Sequence, residues 1–448
     1  MGSSMSLGFC LTLMSLYLLN RESNIMKMLD ELSRREFAKQ IAKSYLGVSS
    51  LIYGSDLIAR TTRVPTARHV IFLNMRGGMT HIDTFDPKPD NKDVMGETTA
   101  INTSADGIQL GHWLPKTAEQ MHLASLVRSI NSNQGAHEQA NYLLHTSYQK
   151  RGTIIHPSMG SWISKLCGKL NKTLPDNVKI NGGSGIIGAG YFESKHGPLP
   201  LGNPNAGIQN VKKSGYVENT MYNKRLEASK SLNNSFSLEF PQKQVRAYSD
   251  LYDNAIGLMK SKDLEAFDLS KEPDSLRDKY GRDNFGQGCL LARRLIENKV
   301  RFVEVSYGGW DMHNDVFGNM ETRGAVLDSG LSSLLEDLNM RGMLADTMVV
   351  VASEFGRTPE VKAGRVGRDH HPSAFSVLFA GGGVKEGFVY GKSDERAHYV
   401  EENGVDVPSV NATIAYAMGL SIEKITYSPS GRPFKVSNGE PPILDLFS

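Results

Sequence analysis

The apolar positions of this chain fall into short runs of strand length separated by longer stretches of helical period. Met348–Ala352 (MVVVA) and Ala374–Ala380 (AFSVLFA) are nearly unbroken, as strands buried on both faces are, and the second ends in three glycines. His69–Met75 (HVIFLNM) and Arg301–Ser306 (RFVEVS) have the same character, and Leu123–Ile130 reads as one more strand. Helical patterns cover Trp113–His122, Gln134–Thr146, Pro157–Leu170, much of Val245–Asn298, Leu331–Met343 and Pro408–Met418. Alternation of this kind predicts a mostly parallel sheet with helices on both faces, a three-layer α/β/α sandwich. The strands Val70–Asn74, Arg301–Ser306, Met348–Ala352 and Phe375–Ala380 are expected in one sheet. Residues 171–242, rich in Gly, Asn, Pro and Ser, lack periodicity and are expected as a peripheral insertion or lid.

Three of the predicted strands end in loops dense with metal-binding side chains, and ligands in open α/β sheets collect at the carboxyl ends of strands. Glu354 stands two residues beyond one strand, followed by Arg357 and then Arg368-Asp369-His370-His371. After Arg301–Ser306 comes Asp311-Met312-His313, and an Asp-x-His pair in extended chain directs both side chains to one face. Asp311, His313 and one of His370 or His371 are therefore expected to converge on one divalent ion, zinc, manganese, calcium or iron, with Glu354 and His137 beside it. Asp369 is a candidate ligand or the acceptor behind a ligand histidine. Gly77-Gly78 lets the chain turn off the first strand and carry His81 and Asp83, two further candidates, back over its end. Arg357 and Arg368 could clamp an anionic substrate through bidentate hydrogen bonds. Each signal has a plainer reading, as histidines bonded to backbone, arginines in surface pairs, or Ser132 and Asn133 as a helix cap.

With 448 residues, 40% hydrophobic and 22% charged, the chain can bury one large core. Its 50 basic and 48 acidic residues leave a net charge of +2 without like-charge blocks, so no nucleic-acid or membrane-surface partner is indicated. Cys10, Cys167 and Cys289 form no CxxC pair, and only a Cys167–Cys289 bridge stays open. Near the start, Ser33-Arg34-Arg35-Glu36-Phe37 precedes a mildly apolar stretch, Ile41–Ala59, as in a twin-arginine export signal. The expected organisation is an upstream extension over 1–25, a signal region over 26–62 and one domain over 63–448. Neither Gly8–Leu19 nor Ile41–Ala59 suits a stable transmembrane span. The twin-arginine export machinery would then be a partner, and the periplasm or cell envelope the destination.

Five motifs carry a family resemblance: GGxxHxDTFDPKP from Gly77 to Pro89, SINSNQGAHEQANYLLHT from Ser129 to Thr146, GGWDMH from Gly308 to His313, SEFGRTP from Ser353 to Pro359, and GRDHHPSAFSVLFAGGG from Gly367 to Gly383. In this order they resemble domain-of-unknown-function family 1501, bacterial secreted proteins. The resemblance implies a place in the alkaline phosphatase and sulfatase superfamily, whose members split phosphate or sulfate esters with metals at the strand ends. It further implies a small anionic ester, or a sulfated or phosphorylated glycan, as substrate. Asp311, His313 and one of the paired histidines resemble that superfamily's Asp-His-His site, and Glu354 resembles the first member of its Asp-His pair. Phe355 stands where the histidine of that pair belongs, and Ser132 is the available hydroxyl where the nucleophile would fall. The expected activity is that of an exported metal-dependent ester hydrolase with Ser132 or an activated water as nucleophile. Arg357 and His137 would assist. The competing expectation is a non-catalytic scaffold of the cell envelope that kept the fold.

Overall fold

A computed structural model of the chain describes residues 65–183, 187–208, 218–240 and 255–447. The export-signal expectation, with Arg34 and Arg35, lies outside them.

Among the described residues nine strands form the central sheet. Numbering only these, they are β1 His69–Arg76, β2 Ala124–Asn131, β3 Asn177–Ile180, β4 Leu199–Leu201, β5 Phe302–Gly308, β6 Thr347–Ala352, β7 Phe375–Ala380, β8 Phe388–Tyr390 and β9 Val405–Asp406. Their order is β8-β2-β7-β6-β1-β5-β3-β4, with β9 also paired to β2. Only β7 runs against its neighbours, so the sheet is mostly parallel, as expected.

Both faces are covered because alternate residues of each strand serve opposite cores. Ile71, Leu73 and Met75 of β1, with Val349 and Val351 of β6, pack under helices α3 (Asn284–Glu297) and α4 (Val316–Met340). Val70 and Phe72, with Met348, Val350 and Ala352, face α1 (His137–Thr146), α2 (Met159–Cys167) and α5 (Val407–Ala417). The β-branched run of β6 is wholly buried, which explains why it carries no polar alternation.

Residues 171–242 depart from the expected lid. Asn177–Ile180 is fully buried and joins the sheet beside β5, followed by β4 at the edge. The segment was misleading because a four-residue strand is too short to show a period. Its helix Asn219–Glu239 is largely exposed. Cys167 and Cys289 are separate free thiols. Among the described residues no helix is long and apolar enough to cross a membrane.

Candidate metal centre

The candidate site lies over the carboxyl ends of β6, β1 and β5. Beyond β5 the chain turns at Gly309 and burial then alternates, Trp310 and Met312 being buried while Asp311 and His313 face outward. The two-residue period seen in the sequence thus survives past the strand, with alternate side chains as anchors. Gly77, at φ +115°, lets β1 turn beneath this loop; a Cβ there would lie 2.6 Å from the Asp311 nitrogen. Gly367 approaches the His313 carbonyl so closely that no side chain fits.

His370 and His371 pair with Arg357 and Gly356 in a two-residue antiparallel ladder. The pleat sends them to opposite sides. His370 joins Asp311 and His313, whereas the His371 Nε2 meets the His398 carbonyl at 2.6 Å and its ring lies 6.5 Å from that of His81. His137 begins α1 and brings its ligand atom, with those of Asp311 and His370, to within 4.8 Å of one another, while His313 lies against Asp311 and His370.

Three imidazoles surround one carboxylate oxygen. Asp311 Oδ1 lies 2.9 Å from His313 Nε2, 3.2 Å from His370 Nε2 and 3.4 Å from His137 Nε2. His313 Nε2 and His370 Nε2 are 3.1 Å apart. Each ring is held from behind through its other nitrogen: His137 Nδ1 by Glu354 Oε1 at 2.8 Å, His313 Nδ1 by Asp369 Oδ1 at 2.9 Å, and His370 Nδ1 by the Gly135 carbonyl at 2.8 Å. Carboxylates and carbonyls only accept, so every Nδ1 carries the proton and every neutral ring turns an Nε2 lone pair inward. Three lone pairs and a carboxylate oxygen crowded together repel one another unless a cation sits among them. His137 Nε2 is buried and has no well-aligned hydrogen-bond partner, its nearest acceptor being Asp311 Oδ1 at 3.4 Å, which suits a ligand atom. The donor set of three imidazole nitrogens and one carboxylate fits a divalent transition metal.

Behind the ligands the structure is tightly bonded. Glu354 is buried; its Oε1 also accepts from Gly77 N at 2.9 Å, and its Oε2 accepts from Ser353 Oγ at 3.2 Å. Burial opposes its charge, but the His137 hydrogen bond and the backbone donors keep its pKa below the ordinary value. The Glu354 hydrogen bond raises His137 above the usual imidazole value, against partial burial. Burial likewise opposes the charge of Asp311, and the Arg357 guanidinium overrides it, holding the carboxyl far below its usual range. Phe355 forms an apolar wall against His137 and His370, with ring centroids 4.8 and 4.6 Å away.

Other expected site residues go elsewhere. Arg357 is completely enclosed, donating to the Gly77, Gly78 and Arg368 carbonyls and, at 2.5 Å, to Asp311. It fixes Asp311 and is closed to a substrate anion. Arg368 is also buried and spends its guanidinium on Asp83 at 2.8 and 3.0 Å and on the Val94 carbonyl. Asp83, further bonded to Thr80 and Thr98, is a structural counter-ion away from the cluster. His81 bonds the Ala397 carbonyl at 3.0 Å, and burial lowers its pKa to about 4. Ser132 Oγ accepts from Gln134 N at 3.1 Å and touches none of the cluster side chains. It lines a cleft of about 1020 Å³ to which none of His137, His313 and His370 contributes.

A second polar group was hidden from sequence reasoning. Glu304, inside β5, accepts from Lys179 at 2.8 Å, His145 at 3.0 Å and Asn74 at 3.1 Å, all buried. His137 and His145 thus tie both ends of α1 to the sheet through a carboxylate each. Glu304 and His145 stand in the sequence without any sign that they meet.

Residues 67–447 match the family described as "Protein of unknown function (DUF1501)". The chain belongs to this family. Among curated proteins none matches the chain. Among solved structures it is similar to the PsFucS1 sulfatase from Pseudoalteromonas sp., at 14% identity and a TM-score of 0.38, covering 83% of this chain and 70% of that one. Alkaline phosphatase from the Antarctic bacterium TAB5 matches at 10% identity and a TM-score of 0.34, covering 80% and 99%. The zinc complex of the C-terminal periplasmic domain of EptC from Escherichia coli matches at 8% identity and 0.36, covering 81% and 84%.

Proposed function

We propose that this family member is a metal-dependent hydrolase of phosphate or sulfate esters, exported to the periplasm or cell envelope by the twin-arginine route. The observation that carries the reading is the convergence of His137, His313 and His370 Nε2 on Asp311 Oδ1, each ring held by an acceptor at Nδ1. His137, His313, His370 and Asp311 would hold a divalent ion, which would supply Lewis acidity toward an ester oxygen. Glu354 makes His137 a better donor and fixes its tautomer; Asp369 does the same for His313. Arg357 holds the Asp311 carboxylate in place and is too enclosed to leave it. The ester class follows from the alkaline phosphatase and sulfatase superfamily that the five family-1501 motifs imply, and export from Arg34 and Arg35 in their signal-like setting.

The test is metal analysis of the purified protein together with turnover of 4-nitrophenyl phosphate and 4-nitrophenyl sulfate. Stoichiometric metal and turnover, both lost in His313→Ala, are expected. A wild-type protein without metal affinity would overturn the reading. Two observations favour a second reading, an envelope scaffold: Ser132 Oγ is turned to its own backbone, and Phe355, where the resemblance implies a histidine, packs its ring on His370. Metal without turnover of either ester would select that alternative.

A further inference from the structure

Most positive side chains around the metal centre are already spent. Arg357 and Arg368 are enclosed, and Lys362 and Arg365 both pair with Asp369, at 3.5 and 3.1 Å. Arg76, the last residue of β1, differs from all four. It is half-buried, enters no ion pair among the described residues, and donates from Nη1 to the Gly182 carbonyl at 3.2 Å. A guanidinium carries donors on all three of its nitrogens, so most of this fork has no acceptor among the described residues. Water or an anion has to meet the rest, because a cation withdrawn from solvent without partners is costly.

The position of Arg76 points to an anion at the metal centre. It follows Phe72 and Asn74 on the face of β1 that looks toward α1, the helix that His137 begins. Gly77, the next residue, donates to Glu354, and a Cβ on it would lie 2.6 Å from the Asp311 nitrogen. The Arg76 backbone therefore adjoins both the carboxylate behind His137 and the segment that carries Asp311.

Its side chain reaches across the sheet. Arg76 pairs with Gly308 of β5, and Gly182 follows β3, the strand on the far side of β5, so the guanidinium lies over the carboxyl end of β5. The space there is open. Among the described residues a Cβ on Gly308 would meet no atom within 4 Å, and one on Gly183 would meet only Arg76 Nη1, at 3.5 Å. Both glycines line a cavity of about 450 Å³ at the carboxyl ends of β3, β4 and β5. Arg323 approaches the same strand end from α4, but it donates to the Gly308 carbonyl at 2.9 Å and stands over the Tyr307 ring.

We propose that Arg76 is the arginine that binds substrate at the metal centre, its fork holding free oxygens of the ester's tetrahedral anion over Gly308, an inference that rests on the hydrolase reading. A planar fork meets two oxygens of such a group at once, which a lysine cannot do. The plainer role is a tie from β1 to the turn after β3 through the Gly182 carbonyl. Lysine and glutamine at this position each keep an N–H donor for that carbonyl, and only lysine keeps the charge.

The experiment is calorimetric titration of the zinc-loaded full chain, cleared of free zinc, with inorganic phosphate and separately with inorganic sulfate. At least one anion is expected to bind the wild type, and Arg76→Gln to weaken it tenfold or more, with Arg76→Lys between the two. Zinc content should be unchanged in both variants, since Arg76 is not among the ligands, and their melting temperatures should agree. With 4-nitrophenyl phosphate or sulfate, Arg76→Gln should raise KM far more than it lowers kcat. Wild-type protein that binds neither anion, or an affinity in Arg76→Gln within twofold of wild type, would overturn the proposal. So would equal losses in the Gln and Lys variants accompanied by equally lowered melting temperatures, the mark of the structural tie. Failure of the metal reading shows separately, as wild-type protein that takes up no zinc; the same titrations of the metal-free chain then decide on Arg76, where Arg76→Gln must still cost tenfold.

Discussion

Replacing Glu354 by Gln removes one negative charge from behind the metal centre while leaving its geometry in place. Oε1 accepts from both Gly77 N and His137 Nδ1, and a glutamine carbonyl in the same position can keep both bonds. The amide nitrogen then falls where Oε2 stands, facing Ser353 Oγ, which can accept from it. What is lost is the carboxylate's influence on His137, whose pKa it raises. Loss of a partner behind a ligand histidine costs about 10- to 100-fold in metal affinity. With the hydrogen bond retained, the lower end applies, about tenfold or about 1.4 kcal/mol. Competition with a chromophoric chelator measures it. A pH series adds a second signature. In the wild type a proton on His137 Nε2 competes with the metal as pH falls through the raised pKa. The variant has less such competition, so the tenfold gap should narrow in acid. Equal affinities at pH 8, or a gap that widens in acid, would refute the assignment of Glu354 as the residue that tunes His137.

Further expectations follow from the same geometry. Gly77→Ala should abolish metal uptake without touching a ligand, because its Cβ would displace the Asp311 backbone; metal analysis beside the circular dichroism spectrum tests this. His81→Ala should retain full metal content while His370→Ala loses it, since His81 bonds a distant carbonyl. Lys179→Met should destabilise the fold by about 3–5 kcal/mol in urea, because it takes the lysine cation from the buried Glu304 carboxylate and leaves it only His145 and Asn74. In metal-free protein His137, with its raised pKa, contributes stability that is complete below about 6.5 and lost as pH rises through the folded value. Added zinc should reverse that slope, and melting curves between pH 6 and 9 with and without zinc would show both signs.

The strands that build the centre of the sheet could be read from the chain because they are buried on both faces and therefore unbroken in hydrophobicity. Met348–Ala352 and Phe375–Ala380 have no other reasonable environment. Asn177–Ile180 could not be read, because four residues at the end of a polar, glycine-rich stretch leave no period. The chemistry of Glu304 was invisible for a related reason. A carboxylate inside an apolar strand requires a cation, but Lys179, His145 and Asn74 come from three other elements, and only the assembled sheet brings them within 3.1 Å.

The candidate site shows where local spacing informs and where it stops. Asp311-Met312-His313 could be read because the two-residue period that orients a strand continues into the loop, with Trp310 and Met312 buried as anchors. The same period distinguishes His370 from its neighbour once the ladder with Gly356 and Arg357 is known, but that ladder is two residues long and leaves no trace in hydropathy. Charge type misled most. Arg357, Arg368 and Asp83 carry the residue types of a substrate site, yet all three are buried. A buried arginine needs its donors satisfied, and Arg357 and Arg368 meet that need with carbonyls and carboxylates of the loops they join. Their function is to hold the loop of Gly77, the loop of Asp311 and the loop of His370 together. Three histidines and one aspartate from separate segments can converge only because these internal ion pairs leave the loops little freedom to separate. Removing Arg357 should therefore cost metal affinity as surely as removing a ligand, though it would touch no metal.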